Sequence, residues 1–257
     1  MYKILVFVFL VVSCANHKDD NGLKAAPIRV LSEDEKQRLL TPTIYYIPKY
    51  TNADHVNCPE REKMDLIDSD GNIIVSSCRR VYKSCQMQGS CQVEVPDGTH
   101  IILNVDRVNE AGIRTFNHAN HPKCLYGRGA ASDRKTAYKQ MCMDPYYSVA
   151  ADLSIYHLGD VIFIPMLQGL VLPNGEIHNG FVIVRDTGGL IKGYGRFDFF
   201  TGFAGLWRSN PFYKLGLGGD NIFPEYYLIS GPEAQRVRLS RGFPYLKSSF
   251  YNVAKNN

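Results

Sequence analysis

The stretch from residue 180 to residue 200 places the strongest constraint on the fold of this 257-residue chain. It begins with GFVIVR, an apolar run typical of a strand buried on both faces. A glycine-rich turn follows, and RFDFF predicts a second strand. Asp186 ends the first strand and Asp198 lies in the second. Two acids are therefore expected on a rigid frame beside an open backbone, an arrangement suited to acid chemistry on an extended substrate.

Short runs of β-forming residues recur along the rest of the chain, separated by turn signals. The turns are the DG, PDG and PNG sequences at residues 70–71, 96–98 and 173–175. In the middle of the chain only residues 133–141 are expected to be helical. Many short strands of this kind indicate an all-β barrel or sandwich with few short helices, rather than βαβ units. The predicted strands cover residues 43–50, 65–67, 73–76, 91–95, 100–105, 161–165, 180–186, 196–200 and 226–229.

The N-terminal residues indicate export. Lys3 precedes a nine-residue apolar run, residues 4–12, which is shorter than the about 20 residues that cross a bilayer. The run ends in VVSC and resembles a bacterial lipoprotein signal, so residues 1–13 are expected to be removed and Cys14 to be lipidated. Because Ala15 follows Cys14, we expect the protein on the periplasmic side of the envelope, anchored by lipid in the outer membrane. An ordinary secretory peptide with an incidental cysteine is the alternative.

Residues 14–42 are expected to join the lipidated cysteine to the folded body through a polar tether and a short helix. Ser32 and Glu35 match a capping box at the start of that helix. Pro42 ends it, and the β-forming residues of the body begin at residue 43.

Six cysteines remain after Cys14, and an even number in an exported chain predicts disulfide staples. The sequence leaves their connectivity open, although Cys85 and Cys91 could close a hairpin. No pair has the CxxC spacing of a zinc ribbon or a thioredoxin-type site. The six are Cys58, Cys78, Cys85, Cys91, Cys124 and Cys142.

Charge and motif content argue against nucleic acid, metal and cofactor. The formal net charge is only +4, and no basic stripe, recognition-helix pattern or phosphate loop is present. His118 and His121 have a spacing seen in metal sites, but their setting is polar and matches no metalloprotease pattern. We therefore expect no nucleic-acid partner, no metal and no cofactor.

Three short sequence motifs are informative because they occur in a particular order along the chain. QMQGS at residues 86–90 is followed by the PDG turn, AADLSIYHLG begins at residue 150, and DTGGLIKG begins at Asp186 and leads to Asp198. Together they resemble the membrane-bound lytic transglycosylase A family and its terminal three-aspartate domain. The family's corresponding segments are QxQGSG, AVDPxxxPLG and DTGGAIKG with its second aspartate. The resemblance places the first aspartate of the trio at Asp152.

The resemblance implies a six-stranded double-psi β-barrel with extra strands, over residues 43–257, with a reduced insertion at about residues 101–148. It also implies a peptidoglycan lytic transglycosylase. Such an enzyme cleaves the β-1,4 bond between N-acetylmuramic acid and N-acetylglucosamine and leaves a 1,6-anhydro ring. One carboxyl group can act as acid and then as base, because the sugar's own C6 hydroxyl replaces the water of ordinary glycosidases. The implied partner is the peptidoglycan glycan strand.

The resemblance also assigns roles by position. Asp198 aligns with the acid/base, Asp186 with the neighbouring carboxylate that shapes the site, and Asp152 with the first member of the trio. A general acid must hold its proton near neutral pH, so we expect burial or the charge of Asp186 to raise the pKa of Asp198. The expected substrate-binding residues are Gln88, Thr187, Gly188, Gly189, Lys192, Tyr194 and Arg196.

Several alternatives stay open. Asp186 before Thr-Gly-Gly could simply cap a turn. The family's long second domain looks absent or cut down, which favours a shorter glycan, help from another cell-wall protein, or binding without cleavage. A hydrolytic glycosidase on the same barrel is a further possibility. For the lone Trp207, a packing role is favoured over a place in the groove.

Overall fold

The structure, a computed structural model, describes residues 39–119, 124–130 and 141–247. The predicted signal peptide, Cys14 with its tether, and all but the last residue of the helix expected at 133–141 lie outside these ranges. Within them, no helix has the length and apolar character needed to cross a bilayer.

Short strands dominate the described residues, and helices are few, as the turn-separated β pattern predicts. The helices are α1 (Asn52–Val56), α2 (Arg79–Gln88), α3 (Pro211–Lys214) and α4 (Gly231–Arg241). The strands are β1 (Thr41–Tyr45), β2 (Lys49–Tyr50), β3 (Lys63–Ile67), β4 (Ile73–Cys78), β5 (Ser90–Glu94), β6 (His100–Val108), β7 (Arg114–His118), β8 (Ser148–Ala150), β9 (Val161–Phe163), β10 (Phe181–Asp186), β11 (Arg196–Phe200) and β12 (Tyr227–Ile229).

One six-stranded sheet carries both ends of the glycine-rich turn. Its order is β1-β11-β8-β10-β9-β12, so the short strand β8 lies between β11 and β10. The two edge strands are linked just before they begin: Leu39 pairs with Glu225, and the amide of Leu40 donates to the carbonyl of Pro224 at 2.8 Å.

Strand β11 shows how this sheet separates its core face from its polar face. Phe197 and Phe199 are fully buried in the main apolar cluster, and burying each phenyl ring contributes about 1.5–3 kcal/mol. Arg196 and Asp198 occupy the alternate positions and are only partly buried. Because successive side chains of a strand point to opposite faces, the core packing of the phenylalanines turns Asp198 away from the interior.

Strands β2 to β7 form two further sheets with an apolar cluster of their own. The order is β2-β5-β6-β7 in one sheet, and β3 pairs with β4 in the other. Helix α2 adds Val81, Tyr82 and Cys85 to this cluster, which also contains Leu66 and Phe116. This second group of strands therefore has an apolar core of its own, and Ile102 of β6 packs with Phe200 of β11 in a smaller cluster that joins the two groups.

Helix α2 corrects the expectation that only residues 133–141 would be helical in the middle of the chain. Its buried residues, Val81, Tyr82 and Cys85, have helical spacing. The helix ends at Gly89, whose φ of 77° is left-handed. Helix α4 was also not predicted; proline stands in its first turn, and Gly242 ends it in the same left-handed conformation.

Three disulfides confirm the expected staples. Cys85 and Cys91 pair, but they do not close a hairpin: their bond joins the last turn of α2 to strand β5 across Gly89. The segment of residues 86–90 is thus tied at both ends. The pairs are Cys58–Cys78, Cys85–Cys91 and Cys124–Cys142.

Candidate active site

Asp186 and Asp198 are placed by the same residue of β8. In the antiparallel pair β11–β8, Asp198 is in register with Ala150, and in the parallel pair β10–β8, Asp186 is in register with Ala150. Neighbouring strands are about 4.8 Å apart, so the Cα atoms of the two aspartates lie about 10 Å apart. Because Ala150 carries only a methyl group, the space between the two carboxyl groups stays open.

A register irregularity in β10 helps to direct Asp186. Val184 has a partner in β8, and the next residue with one is Asp186, so Arg185 is the extra residue of a bulge. Bulges re-aim side chains and are common beside active sites. The guanidinium of Arg185 is fully buried and donates to the carbonyls of Cys142 and Pro244, which anchors the bulge from the interior.

The two aspartates line one pocket of about 470 Å³. The six-stranded sheet and the turn after β10 form part of its wall. A second part comes from residues 86–90, at the end of α2 and the start of β5, and from Asn104 and Val105 of β6. The segments between β7 and β8 also contribute, through Tyr126, Arg128, Gly129 and Met143. The pocket thus lies where the two groups of strands meet. Within the described ranges, no three His, Cys, Asp or Glu side chains are grouped as metal ligands.

The carboxyl group of Asp198 is held by a hydroxyl whose direction is fixed. Arg196 Nη1 donates to Thr43 Oγ1 at 2.7 Å, and Thr43 Oγ1 donates to Asp198 Oδ1, also at 2.7 Å. Because a guanidinium can only donate, the hydroxyl hydrogen of Thr43 is free to point at Asp198. Among the described residues no hydrogen bond reaches Asp198 Oδ2, so a proton on that atom is available for transfer.

Tyr45 holds the other carboxyl group. Its hydroxyl donates to Asp186 Oδ2 at 2.9 Å, and its ring packs against Phe200 with the ring centroids 5.3 Å apart. Burial, then the charges of Asp186 and Asp198, raises the pKa of Tyr45 well above the usual tyrosine value, so the phenol stays protonated and donates. Thr43 and Tyr45 are alternate residues of β1 and therefore face the same side.

Both pocket carboxyl groups bind their proton more tightly than a free aspartate. Burial raises the pKa of Asp198, against the hydrogen bond from Thr43 and the charge of Arg196. Burial also raises the pKa of Asp186, to about 6; the charge of Asp198 adds to this, while hydrogen bonds from Thr187 and Tyr45 oppose it. The direction expected for Asp198 is confirmed, and burial is the cause.

Asp152 lies outside this pocket. Its Oδ2 accepts from the Gly193 amide at 3.0 Å, and its Oδ1 accepts from the amide and hydroxyl of Ser154, with Lys192 Nζ at 3.5 Å. These hydrogen bonds, that of Gly193 foremost, lower the pKa of Asp152 to about 2. The ionised carboxylate of Asp152 therefore stabilises the glycine-rich turn that begins at Asp186. It does not face the carboxyl group of Asp186 across the pocket.

Most of the predicted binding residues line the pocket, but two do not. Lys192 reaches towards Asp152, and Tyr194 is exposed outside the pocket. Gln88 uses its side-chain oxygen to accept from the amide of Tyr46 at 3.1 Å. The predicted residues that do line the pocket are Gln88, Thr187, Gly188, Gly189 and Arg196.

Other residues of the site carried no recognisable sequence signal. Thr43 and Tyr45 are more than 140 positions away from the aspartates that they contact. Met87 and Leu190 are strongly exposed apolar side chains on the pocket lining, from the end of α2 and from the glycine-rich turn. An exposed leucine directly after Gly188 and Gly189 is a local feature that could have marked the rim.

Several solved structures are similar to this chain at low identity. E. coli MltA with bound chitohexaose has 14% identity and a TM-score of 0.48, covering 78% of this chain and 74% of that one. The membrane-bound lytic murein transglycosylase from Agrobacterium tumefaciens has 15% identity and a TM-score of 0.44, with coverages of 79% and 77%. The lytic transglycosylase LtgG of Burkholderia pseudomallei has 16% identity and a TM-score of 0.38, covering 72% of this chain and 70% of that one. Likeness at this level does not by itself assign an activity.

A family model describes the part of the chain that holds the site. Residues 147–206 match the 3D domain. No curated protein matches the sequence. The matched residues include Asp152, Asp186 and Asp198, so the three-aspartate domain predicted from the sequence is confirmed. The chain carries a 3D domain in which two aspartates share a pocket and the third braces the turn between them.

Proposed function

We propose that this protein is a peptidoglycan lytic transglycosylase that cleaves the bond between N-acetylmuramic acid and N-acetylglucosamine and leaves a 1,6-anhydro end. One observation carries the proposal: Asp186 and Asp198, both with raised pKa, lie on either side of Ala150 in one pocket of a 3D domain. An acid that keeps its proton near neutral pH is what protonation of a glycosidic oxygen requires. The reaction needs no second carboxylate to activate water.

Asp198 is the proposed acid and base. In the first step its carboxyl group donates a proton from Oδ2 to the bridging oxygen, the C1–O bond breaks, and positive charge develops at C1. Thr43 donates to Oδ1, which leaves Oδ2 to carry the proton. In the second step the carboxylate takes the proton of the C6 hydroxyl as O6 bonds to C1. The anhydro ring closes, and the carboxyl group returns to its protonated state.

Asp186 is the proposed electrostatic partner of this step. When the proton of the pair lies on Asp198, Asp186 is ionised, and its negative charge favours positive charge at C1. Like charges in one pocket oppose each other, so the pair Asp186 and Asp198 tends to hold one proton between them. Asp152 is proposed as a positioning residue, because its contacts fix the turn and its own proton is lost at any working pH.

We further propose that the six-stranded sheet is a closed double-psi β-barrel. The contact of Leu39 with Glu225, which links the edge strands β1 and β12, supports closure. The barrel strands come from Thr41–Tyr45 and from the chain after residue 147, with β2 to β7 inserted between them. This division makes the insertion longer than residues 101–148, and its residues 86–90 supply the second wall of a groove.

We propose a place on the periplasmic side of the envelope, anchored in the outer membrane through lipid on Cys14. The short apolar N-terminus and the three disulfides, which form in oxidising compartments, support this location. Peptidoglycan is the glycan found there. The similar E. coli protein is described with bound chitohexaose, and for this chain we propose a glycan strand on the strength of its own pocket.

Digestion of purified sacculi, followed by mass spectrometry of the released fragments, tests the proposal. The wild-type protein should release 1,6-anhydro muropeptides, and Asp198→Asn should release none. Asp220→Asn, which changes an exposed aspartate outside the pocket, should match the wild type and serves as the control. Reducing-end products would establish a hydrolytic glycosidase instead, and binding to sacculi without any release would establish a non-cleaving barrel.

A further inference from the structure

Trp207 is the only tryptophan of the chain and is 71% exposed. The packing role favoured from the sequence does not account for an indole this exposed. An indole left in water gives up the free energy that burial of a large aromatic side chain provides. An exposed indole offers an apolar face that another molecule can contact.

Hydrogen bonds hold the loop that carries Trp207. Its amide donates to the carbonyl of Gly205 at 2.9 Å, and its carbonyl accepts from the amide of Asn210, also at 2.9 Å. The side chain of Asn210 is buried and donates to the carbonyls of Ala204 and Gly205 at 3.1 and 3.0 Å. The exposure of the indole thus follows from a braced loop conformation.

Trp207 and Tyr46 meet over Gly205. A Cβ atom at position 205 would lie 3.1 Å from Trp207 Nε1 and 3.1 Å from two carbon atoms of the Tyr46 ring. Both rings therefore lie against the backbone of this glycine, and a side chain there would push between them. We call Tyr46, Gly205 and Trp207 the aromatic platform.

One backbone hydrogen bond links the aromatic platform to a residue of the catalytic pocket. Tyr46 follows Tyr45, which lines the pocket. The amide of Tyr46 donates to the side-chain oxygen of Gln88, and Gln88 also lines the pocket.

We propose that the aromatic platform is a subsite for a sugar residue of the glycan strand, beyond the two sugars that flank the cleaved bond. The inference rests on the proposed function for the identity of the strand. The C–H face of a pyranose ring is apolar and stacks on an indole, while its hydroxyl groups remain in water. Contact with a remote sugar holds a long strand in place while the reacting bond is cleaved.

The single tryptophan makes the subsite directly measurable. In the Asp198→Asn variant, which should bind without turnover, glycan strands of increasing length are titrated while the tryptophan emission is recorded. Long strands should move the emission to shorter wavelength with saturation, and a disaccharide, which fills only the pocket, should leave it unchanged. Emission that no strand changes would overturn the inference.

Kinetics of the active protein provide the second arm. Trp207→Ala should raise KM for long strands about three- to tenfold, with little change for the shortest cleavable substrate, and Trp207→Phe should retain most of the affinity. Phe223→Ala removes another exposed aromatic ring and should leave both substrates unaffected. An unchanged KM in Trp207→Ala would contradict the subsite. If the wild type forms no anhydro product, the proposed function fails, yet a saturable emission shift with long strands would still support the platform.

Discussion

Asp186 and Asp198 share one register partner, Ala150, and lie in the two strands that pair with it on either side. This relationship sets the spacing of the two backbone positions by sheet geometry. The smallest chiral side chain stands between them, so a sugar ring can approach both acids. The sheet therefore holds the two aspartates at a fixed spacing, because backbone hydrogen bonds set the distance between its strands. A flexible loop would not hold them in this way.

The first prediction concerns the space over Ala150. Ala150→Val places two extra methyl groups between the carboxyl groups and should lower the rate of anhydro-product release by at least about a hundredfold, since small misplacements near the reacting atoms have effects of this size. Ala150→Gly keeps the space open and should remain active, although glycine in a strand costs about 0.5–1 kcal/mol of stability. An active valine variant would show that the substrate does not pass over this residue.

The second prediction concerns the hydroxyl that orients Asp198. Thr43→Val removes the donor to Oδ1 at nearly constant volume, and the proton of Asp198 is then free to occupy either oxygen. The maximal rate of product release should fall about tenfold, the effect of one lost hydrogen bond. Thr43→Ser retains the hydroxyl and should stay close to the wild type. Equal rates in the valine and serine variants would remove Thr43 from the mechanism.

The third prediction is a pH shift. The hydroxyl of Tyr45 donates to Asp186 and lowers its pKa, so Tyr45→Phe should raise that pKa above about 6. The acid-side loss of activity, in which the carboxyl pair takes up a second proton, should then begin at higher pH in a profile of kcat/KM. Tyr213→Phe, on α3 outside the pocket, is the matched control. A lower rate with an unmoved profile would mean that Tyr45 only packs against Phe200.

The fourth prediction separates positioning from proton transfer. Asp152→Asn loses the charge that accepts from Gly193 and Ser154, so its melting temperature at pH 7 should fall by several degrees. The folded carboxylate has a pKa of about 2, so its contribution to stability is present above the unfolded aspartate pKa and lost as the pH falls towards 2. The two melting temperatures should therefore converge in acid. The residual activity of Asp152→Asn should have the same pH profile as the wild type. A displaced profile would indicate that Asp152 takes part in proton transfer.

Local patterns predicted the local parts of this site. The apolar run before Asp186 and the alternation around Asp198 reveal strands because burial of each residue depends on its immediate neighbours. The glycine-rich turn between the two strands follows from the same stretch. The three-aspartate motif could be recognised without any knowledge of which strands pair with each other.

Long-range register could not be read in the same way. Strand β8 has only three residues, too few to show a period, yet Ala150 decides where both aspartates lie. Thr43 and Tyr45 reach the site because β1 lies beside β11, a pairing formed over 155 positions. Asp152 belongs to the same motif as Asp186 and Asp198, but its carboxylate accepts hydrogen bonds from Ser154 and from the turn at Gly193.

Helix α2 was missed for a related reason. Its sequence RRVYKSCQMQ offers only Val81, Tyr82 and Cys85 as buried residues, and the spacing of Cys85 and Cys91 is also compatible with a hairpin. Without the helix, the second wall of the pocket looked absent. The disulfide Cys85–Cys91 and the helix end at Gly89 together place Gln88 at the rim, a result of tertiary context that spacing alone does not carry.

The source of the oxygen at the new sugar end tests the central claim most directly. Sacculi are digested in water enriched in oxygen-18, and the masses of the released muropeptides are measured for the wild type, Asp198→Asn and the Asp220→Asn control. Because O6 of the sugar attacks C1, the wild type and control should release anhydro products without the heavy isotope, and Asp198→Asn should release none. Heavy oxygen at C1, or full release by Asp198→Asn, would contradict proton transfer by Asp198 to and from the substrate's own atoms.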